Sequence, residues 1–114
     1  MVVDDLIEVI DSYELPYYRQ GSMSEDEEYP ETFFTFWNRD SDDHAHYDND
    51  NYGTRWVFDV NVYSSDPEKP YELLEDIAKR LKGNGWVVPG KGHDLYSDEP
   101  THTGRGITVY FLEV

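Results

Sequence analysis

The densest collection of groups able to do chemistry lies between Asp40 and Asp50, where Asp40, Asp42, Asp43, Asp48 and Asp50 surround His44 and His46. Carboxylates and imidazoles are the ligands a divalent cation takes, and two histidines two residues apart share one face of an extended chain. Asp48, Asp50 and Gly53 match positions 1, 3 and 6 of an EF-hand loop. Tyr52 stands at position 5, however, Asp59 replaces Glu at position 12, and the flanks read as strands rather than helices. Asp and Asn also favour loops through their own local hydrogen bonds. No metal or cofactor is assigned, and weak metal binding at His44 and His46 stays open, with a metal-dependent hydrolase as the remotest reading.

Other catalytic signals are missing. There is no G-x-S-x-G elbow, no H-E-x-x-H and no P-loop, and Pro89-Gly90-Lys91-Gly92 has neither phosphate-loop spacing nor a following helix. Carboxylate pairs carry little information in a chain with 25 Asp and Glu. His93 and His102 flank a polar turn and read as exposed loop histidines, because a lone His marks a site only with partners. The expectation is a protein that is not an enzyme.

The elements that must position these groups are organised around Tyr52 to Ser64. Trp56, Phe58, Val60 and Val62 occupy alternate positions there, with Arg55, Asp59 and Asn61 between them, the pattern of a strand with one face on a core. Ahead of it, Val3, Leu6, Ile7, Ile10 and Tyr13 recur at helical spacing, and Pro16 supports a stop. Residues 17–30 lose all pattern and contain the run Glu25-Asp26-Glu27-Glu28, read as a mobile, solvated acidic linker. Thr32 to Asn38 is β-branched and aromatic, apolar on both faces, and reads as a strand covered on both sides. Arg39 to Gly53 reads as a long polar loop that joins it to the central strand as a wide hairpin.

Beyond the central strand, Ser64, Ser65 and Asp66 offer caps for a second helix whose inner face is Tyr71, Leu74, Ile77, Ala78 and Leu81, ended by Gly83 and Gly85. Trp86 to Val88 starts a short strand that Pro89 interrupts, with strand character returning at Asp94 to Tyr96. Ile107, Val109 and Phe111 alternate in a last strand. The order α-β-β-α-β-β predicts one α+β domain over residues 1–114, an antiparallel or mixed sheet of about four strands with helices packed on its core face.

Composition bounds the partners. A chain of 114 residues buries roughly two-thirds of its unfolded surface, enough for one modest core. Cysteine is absent, so disulfides, thiolate metal sites and thiol nucleophiles are excluded. Met1 leads into Val2, Val3, Asp4 and Asp5 rather than a basic and then apolar signal, so export by a conventional signal is not expected, nor is a membrane span. Nine Lys and Arg against 25 Asp and Glu leave a net charge of −16. Specific nucleic-acid binding and anionic membranes are therefore disfavoured. Solubility explains such a balance by itself; a basic protein partner, or a surface lying beside DNA without holding it, would use it.

The aromatic residues point outward from this framework. Phe33, Trp37, Tyr63 and Tyr110 fall opposite the core-facing positions, where they serve either cross-strand pairing or an interface. The stretches Thr32-Phe33-Phe34-Thr35-Phe36-Trp37, His46-Tyr47-Asp48-Asn49-Asp50-Asn51-Tyr52-Gly53-Thr54-Arg55-Trp56 and Val60-Asn61-Val62-Tyr63-Ser64 resemble the small tail terminator and tail-completion (head-tail joining) proteins of long-tailed phages and prophages. Tyr71-Glu72-Leu73-Leu74, Gly85-Trp86 and Asp94-Leu95-Tyr96 extend the resemblance over most of the chain, whereas the acidic run at Glu25 to Glu28 matches no feature of that family. The resemblance implies a mixed sheet with flanking helices and a structural subunit that forms a ring, usually of six, at the end of the tail tube. Tail tube protein and head connector would be its partners, DNA would pass through without being bound, and the protein would reside in the virion and, during assembly, in the host cytoplasm. Expected interface residues are Trp37 and Tyr63 on the sheet, Asp42, His44, His46 and Tyr47 in the long loop, and His93, Tyr96, His102 and Arg105 around the polar turn. An acidic inhibitor or DNA mimic that binds a basic host protein is the alternative.

Overall fold

The alternation in the central strand sets the register of everything beside it. In a computed structural model of the chain, residues 2–19, 29–43, 46–47, 50–51, 53–97 and 99–113 are described. The elements run α1 (Val2–Asp11), β1 (Tyr17–Arg19), β2 (Thr32–Asp43), β3 (His46–Tyr47), β4 (Asp50–Asn51), β5 (Thr54–Ser64), α2 (Lys69–Gly83), β6 (His93–Leu95) and β7 (Thr103–Glu113). The architecture is α+β: a five-stranded mixed sheet in the order β1-β2-β5-β7-β6, with β1 alone parallel to its neighbour, and a separate β3-β4 ladder. No helix among the described residues is long and apolar enough to cross a membrane.

Phe58, Val60 and Val62 on β5 lie cross-strand from Phe36 and Phe34 on β2 and from Val109 and Ile107 on β7, and all are buried. Two helices cover this face. Val2, Leu6 and Ile10 of α1 and Pro70, Leu74, Ile77 and Leu81 of α2 are buried at helical spacing, joined by Trp86 and Val88 from the connection after α2. Each large side chain so buried contributes about 1.5–3 kcal/mol. Of the offered caps, Asp66 accepts a bond from Glu68 N–H at 3.0 Å, which shapes the turn before α2 without capping the helix from Glu68 itself.

Several elements differ from the sequence expectation, each for a physical reason. The sheet has five strands rather than about four. Tyr17 to Arg19, the first part of the expected linker, pairs with Phe34 to Phe36 as an edge strand; three residues are too few to show periodicity. Arg39 to Asp43, expected as loop, continues β2 to the pair Asp43↔Thr54. His46↔Asn51 and Tyr47↔Asp50 carry that register on, because backbone pairing needs no apolar side chains. The expected strand at Trp86 to Val88 shrinks to one bridge, Val87↔Tyr110, beside Pro89, which has no N–H to donate. Tyr71, expected on the buried face of α2, is half exposed.

The outer face tolerates no side chain at two sites on β7. A Cβ on Gly104 would sit 2.6 Å from Cε1 of Tyr63, whose ring lies across that glycine, and one on Gly106 would intrude on Oδ1 of the buried Asn61. Gly83, at the exposed end of α2, has open space around it. Gly106→Ala is expected to destabilise the fold by about 1–3 kcal/mol through overpacking. Gly83→Ala is expected to stabilise it by about 0.5–1 kcal/mol through helix propensity, both read from urea unfolding midpoints.

Candidate functional site

On the outer face at the Ser64 end of β5, five rings gather. Phe33 and Tyr63, directly cross-strand, stack with centroids 5.3 Å apart and planes 19° apart. Tyr18 and Tyr29 meet Phe33 edge-on at 5.9 Å and 5.1 Å, and His102 lies against Tyr29 at 5.3 Å. His102 Nε2 donates to the carbonyl of Pro30 at 2.8 Å, and Nδ1 is hydrogen-bonded to the Thr101 hydroxyl at 2.9 Å. Phe33, expected as an outward decoration, is therefore only 2% exposed, and His102, expected as an exposed loop residue, ties the turn before β7 to residues 29–30. Residues 29–30 lie about seventy positions from His102, so no local pattern announces that contact.

The middle of the same face is polar. Asp59 accepts a bond from Trp37 Nε1 at 2.7 Å on Oδ2 and one from the Thr108 hydroxyl at 2.7 Å on Oδ1. Arg39 Nε lies 3.7 Å from Oδ2. Arg39 reaches it because the register shifts between Asn38 and Asp40, a bulge that adds one residue to β2. Trp37 stays 44% exposed, with its indole N–H held by Asp59.

On the helix-covered face, at the opposite edge of the sheet, Tyr71, Asp94 and Arg105 form a second network. Arg105 Nη1 donates to Asp94 Oδ1 at 2.9 Å and Nη2 to the Lys91 carbonyl at 3.1 Å, while the guanidinium stacks 4.4 Å over the Tyr71 ring. The Tyr71 hydroxyl donates to the same Asp94 oxygen at 2.8 Å. These donors, Tyr71 first and Arg105 next, hold the Asp94 carboxyl below the usual carboxylate range, and the bond to Asp94 pushes the Tyr71 hydroxyl up. Beside them a groove of about 340 Å³ opens between α2 and the loop ahead of β6. A larger groove of about 690 Å³ runs between the two helices, with Asp5, Glu8 and Arg80 on its walls.

The expected interface residues do not form one site. Trp37 and Tyr63 share the outer face, Tyr63 half-buried in the ring cluster, and Arg105 belongs to the helix-side network. His93 is exposed at the edge strand, and Tyr96 stands fully in solvent just after it. Asp42 lies in β2 opposite Arg55, and His46 and Tyr47 lie in β3, so these three belong to strands rather than a loop. His44 falls outside the described residues. Asp59, Tyr71 and Asp94 were not singled out as site residues; an acid alternating with core residues opposite a Trp is the signal that would have found Asp59. Among the described residues no group of three or more His, Asp and Glu is placed to hold a metal ion.

The fold and these networks define a two-layer α+β protein whose described surface offers aromatic and charged patches. Comparison with protein-family models and with curated proteins returns no match.

The signs of the two shifts on the second network set a pH dependence. The lowered Asp94 pKa contributes stability present above the unfolded carboxylate value and lost as pH falls through the lower folded value; the raised Tyr71 pKa contributes stability present below the unfolded tyrosine value and lost as pH rises through the raised one. Replacing Tyr71→Phe removes the first cause of the Asp94 shift. The Asp94 side-chain carboxyl, followed by carbon NMR, is expected to titrate at higher pH in that variant than in the parent.

Proposed function

We propose that this chain is a structural subunit of long-tailed phage or prophage assembly, a tail terminator or head-tail joining protein that works as a ring at the end of the tail tube. The observation that carries the reading is the β2–β5 hairpin, whose ladder runs from Thr32↔Ser64 to Asp43↔Thr54 and continues in register through Tyr47↔Asp50. It makes the molecule 53 × 28 × 23 Å, with a radius of gyration of 15.2 Å. A compact chain of this length has about 13 Å. A subunit of a ring needs reach to a neighbour and two different complementary patches, since ring closure is heterologous. The exposed Trp37 beside Asp59 and the basic groove at the opposite edge are two patches of different chemistry.

The net charge of −16 fits the same role, because carboxylates around a lumen repel the phosphates of passing DNA. Tail tube protein and head connector are the proposed partners, and the virion and the host cytoplasm the proposed locations; the role is non-enzymatic. The same charge also favours a second reading, an acidic inhibitor of a basic host protein, for which capture of a nucleic-acid enzyme, lost at high salt, is the signature.

Mixing the purified chain with tail tubes of its phage is expected to give capped tubes and rings in negative-stain images. Trp37→Ala is expected to weaken capping by about tenfold or more, as loss of an aromatic anchor does. Tubes left uncapped by the parent chain, with the chain monomeric throughout, would remove the proposal.

A further inference from the structure

The chain is poor in cations, yet four of its nine Lys and Arg residues, Lys79, Lys82, Lys91 and Arg105, line the groove between α2 and the loop ahead of β6, beside apolar lining from Leu74 and Ala78. Two of these charges are answered within the molecule. Lys79 Nζ lies 3.7 Å from Glu75 Oε1, and Arg105 holds Asp94. Lys82 and Lys91 are exposed and have no ion-pair partner among the described residues. The loop that carries Lys91 is held in place. Arg105 donates to the Lys91 carbonyl at 3.1 Å, and Gly92, at a φ of +93°, has no room for a side chain, since a Cβ there would come within 2.7 Å of the Gly106 carbonyl oxygen and 2.8 Å of Leu74 Cδ2. A partner therefore meets a loop that binding need not order.

Helix α1 has the matching chemistry. It carries four acids and no base, and Asp4, Ile7, Glu8 and Asp11 recur at i, i+3, i+4 and i+7 on the side turned away from the buried Val2, Leu6 and Ile10. The three acids of that stripe are exposed, and Ile7, half-buried, borders them. We infer that the groove takes this stripe of α1 from a second copy of the chain, with the carboxylates of Glu8 and Asp11 against the ammonium groups of Lys82 and Lys91 and Ile7 toward the apolar lining. Within one molecule the two surfaces do not meet, because α2 stands between them. On one flank of α2, Asp76 accepts from the Tyr13 hydroxyl and Arg80 donates to the Ser12 hydroxyl, both just after α1, whereas Leu74, Ala78 and Lys82 line the groove on the other flank. Copies of net charge −16 repel one another as whole bodies, so an ionic contact between them needs a local cluster of cations and enough salt to screen the rest. A donor helix and an acceptor groove are different surfaces, and a contact between different surfaces runs head to tail, the kind that closes into rings.

This contact would give the ring role proposed above its subunit interface, and it rests on that role for its biological meaning, but it is tested separately. Full-length chain is followed by sedimentation velocity, with circular dichroism to verify that each variant is folded. At about 0.1–0.15 M salt, where a Debye length of about 8–10 Å screens the whole-body repulsion, the parent is expected to self-associate; at about 1 M, where that length is about 3 Å, it is expected to dissociate. Lys82→Glu with Lys91→Glu, or Glu8→Lys with Asp11→Lys, is expected to weaken association by about tenfold or more. The helix variant is less negative than the parent, so general repulsion acts in the opposite direction and a weakening there reports the contact itself. An equal mixture of the two variants is expected to restore association, because each then offers the charge the other lacks. A parent that stays monomeric at both salt concentrations, association untouched by either pair of changes, or a mixture as dissociated as its components would overturn the interface. Tubes capped by the parent and by both variants alike would leave the ring role standing and remove this contact. Association through the contact beside tubes that the parent leaves uncapped would keep the contact and remove the tail role.

Discussion

Everything in this fold depends on the register between β2 and β5. Side chains alternate across a strand, so a slip by one residue would carry Phe34, Phe36, Phe58, Val60 and Val62 off the core and put Thr35, Asp59 and Asn61 in their place. The stacked pair Phe33 and Tyr63, the Asn61 bond to Thr35 at 3.2 Å and the Trp37 bond to Asp59 hold that register from the outer side as well. The sheet is thus pinned from both faces, with apolar burial on one and polar and aromatic cross-strand pairs on the other.

The bulge at Asn38 to Asp40 is where this constraint changes character. Before it, Trp37 pairs with Asp59; after it, Asp40 pairs with Val57 and Asp42 with Arg55, so the parity of the pairing changes. Beyond this point what continues is backbone pairing. An extra residue also lets Arg39 turn toward Asp59, joining the start of the polar half to the aromatic half.

Legibility in the sequence followed the same division. The helices and β5 were readable because their burial repeats every 3.6 or every second residue over ten or more positions, and the α+β class follows from their order; β7 was readable only from Ile107 to Phe111, its start at Thr103 to Gly106 reading as the end of a polar turn because Gly104 and Gly106 carry no side chain to alternate. The β1 strand was not, since three residues hold one and a half periods, and Arg39 to Asp43 was not, since its pairing leaves no trace in hydrophobicity. Individual site residues were harder still. Trp37 is visible as a Trp facing away from the core, but the fate of His102 depends on where residues 29–30 come to lie, about seventy positions away, and Tyr71, one residue off the buried line Pro70, Leu74, Ile77 and Leu81, meets Arg105 and Asp94 from another part of the chain. Long-range contacts of this kind are properties of the folded chain that spacing alone does not encode.

The cationic groove raises a finer question, whether its charges serve the fold before they serve a partner. Lys82 stands with Arg80 in the last turn of α2, where a cation opposes the helix dipole and contributes about 0.3–1 kcal/mol by itself. Lys79 forms a same-face pair with Glu75, four residues before it, that needs no further purpose. Arg105 is occupied by Asp94, Tyr71 and the Lys91 carbonyl. Lys91 has no such account: it lies in an irregular loop between Gly90 and Gly92, its carbonyl accepts from Arg105, and its ammonium projects from a loop with no helix dipole to oppose. In a chain of net charge −16 an ammonium there is attracted weakly by the whole surface, and it has no ion-pair partner among the described residues. Lys91 is therefore the charge in the groove whose presence the fold explains least.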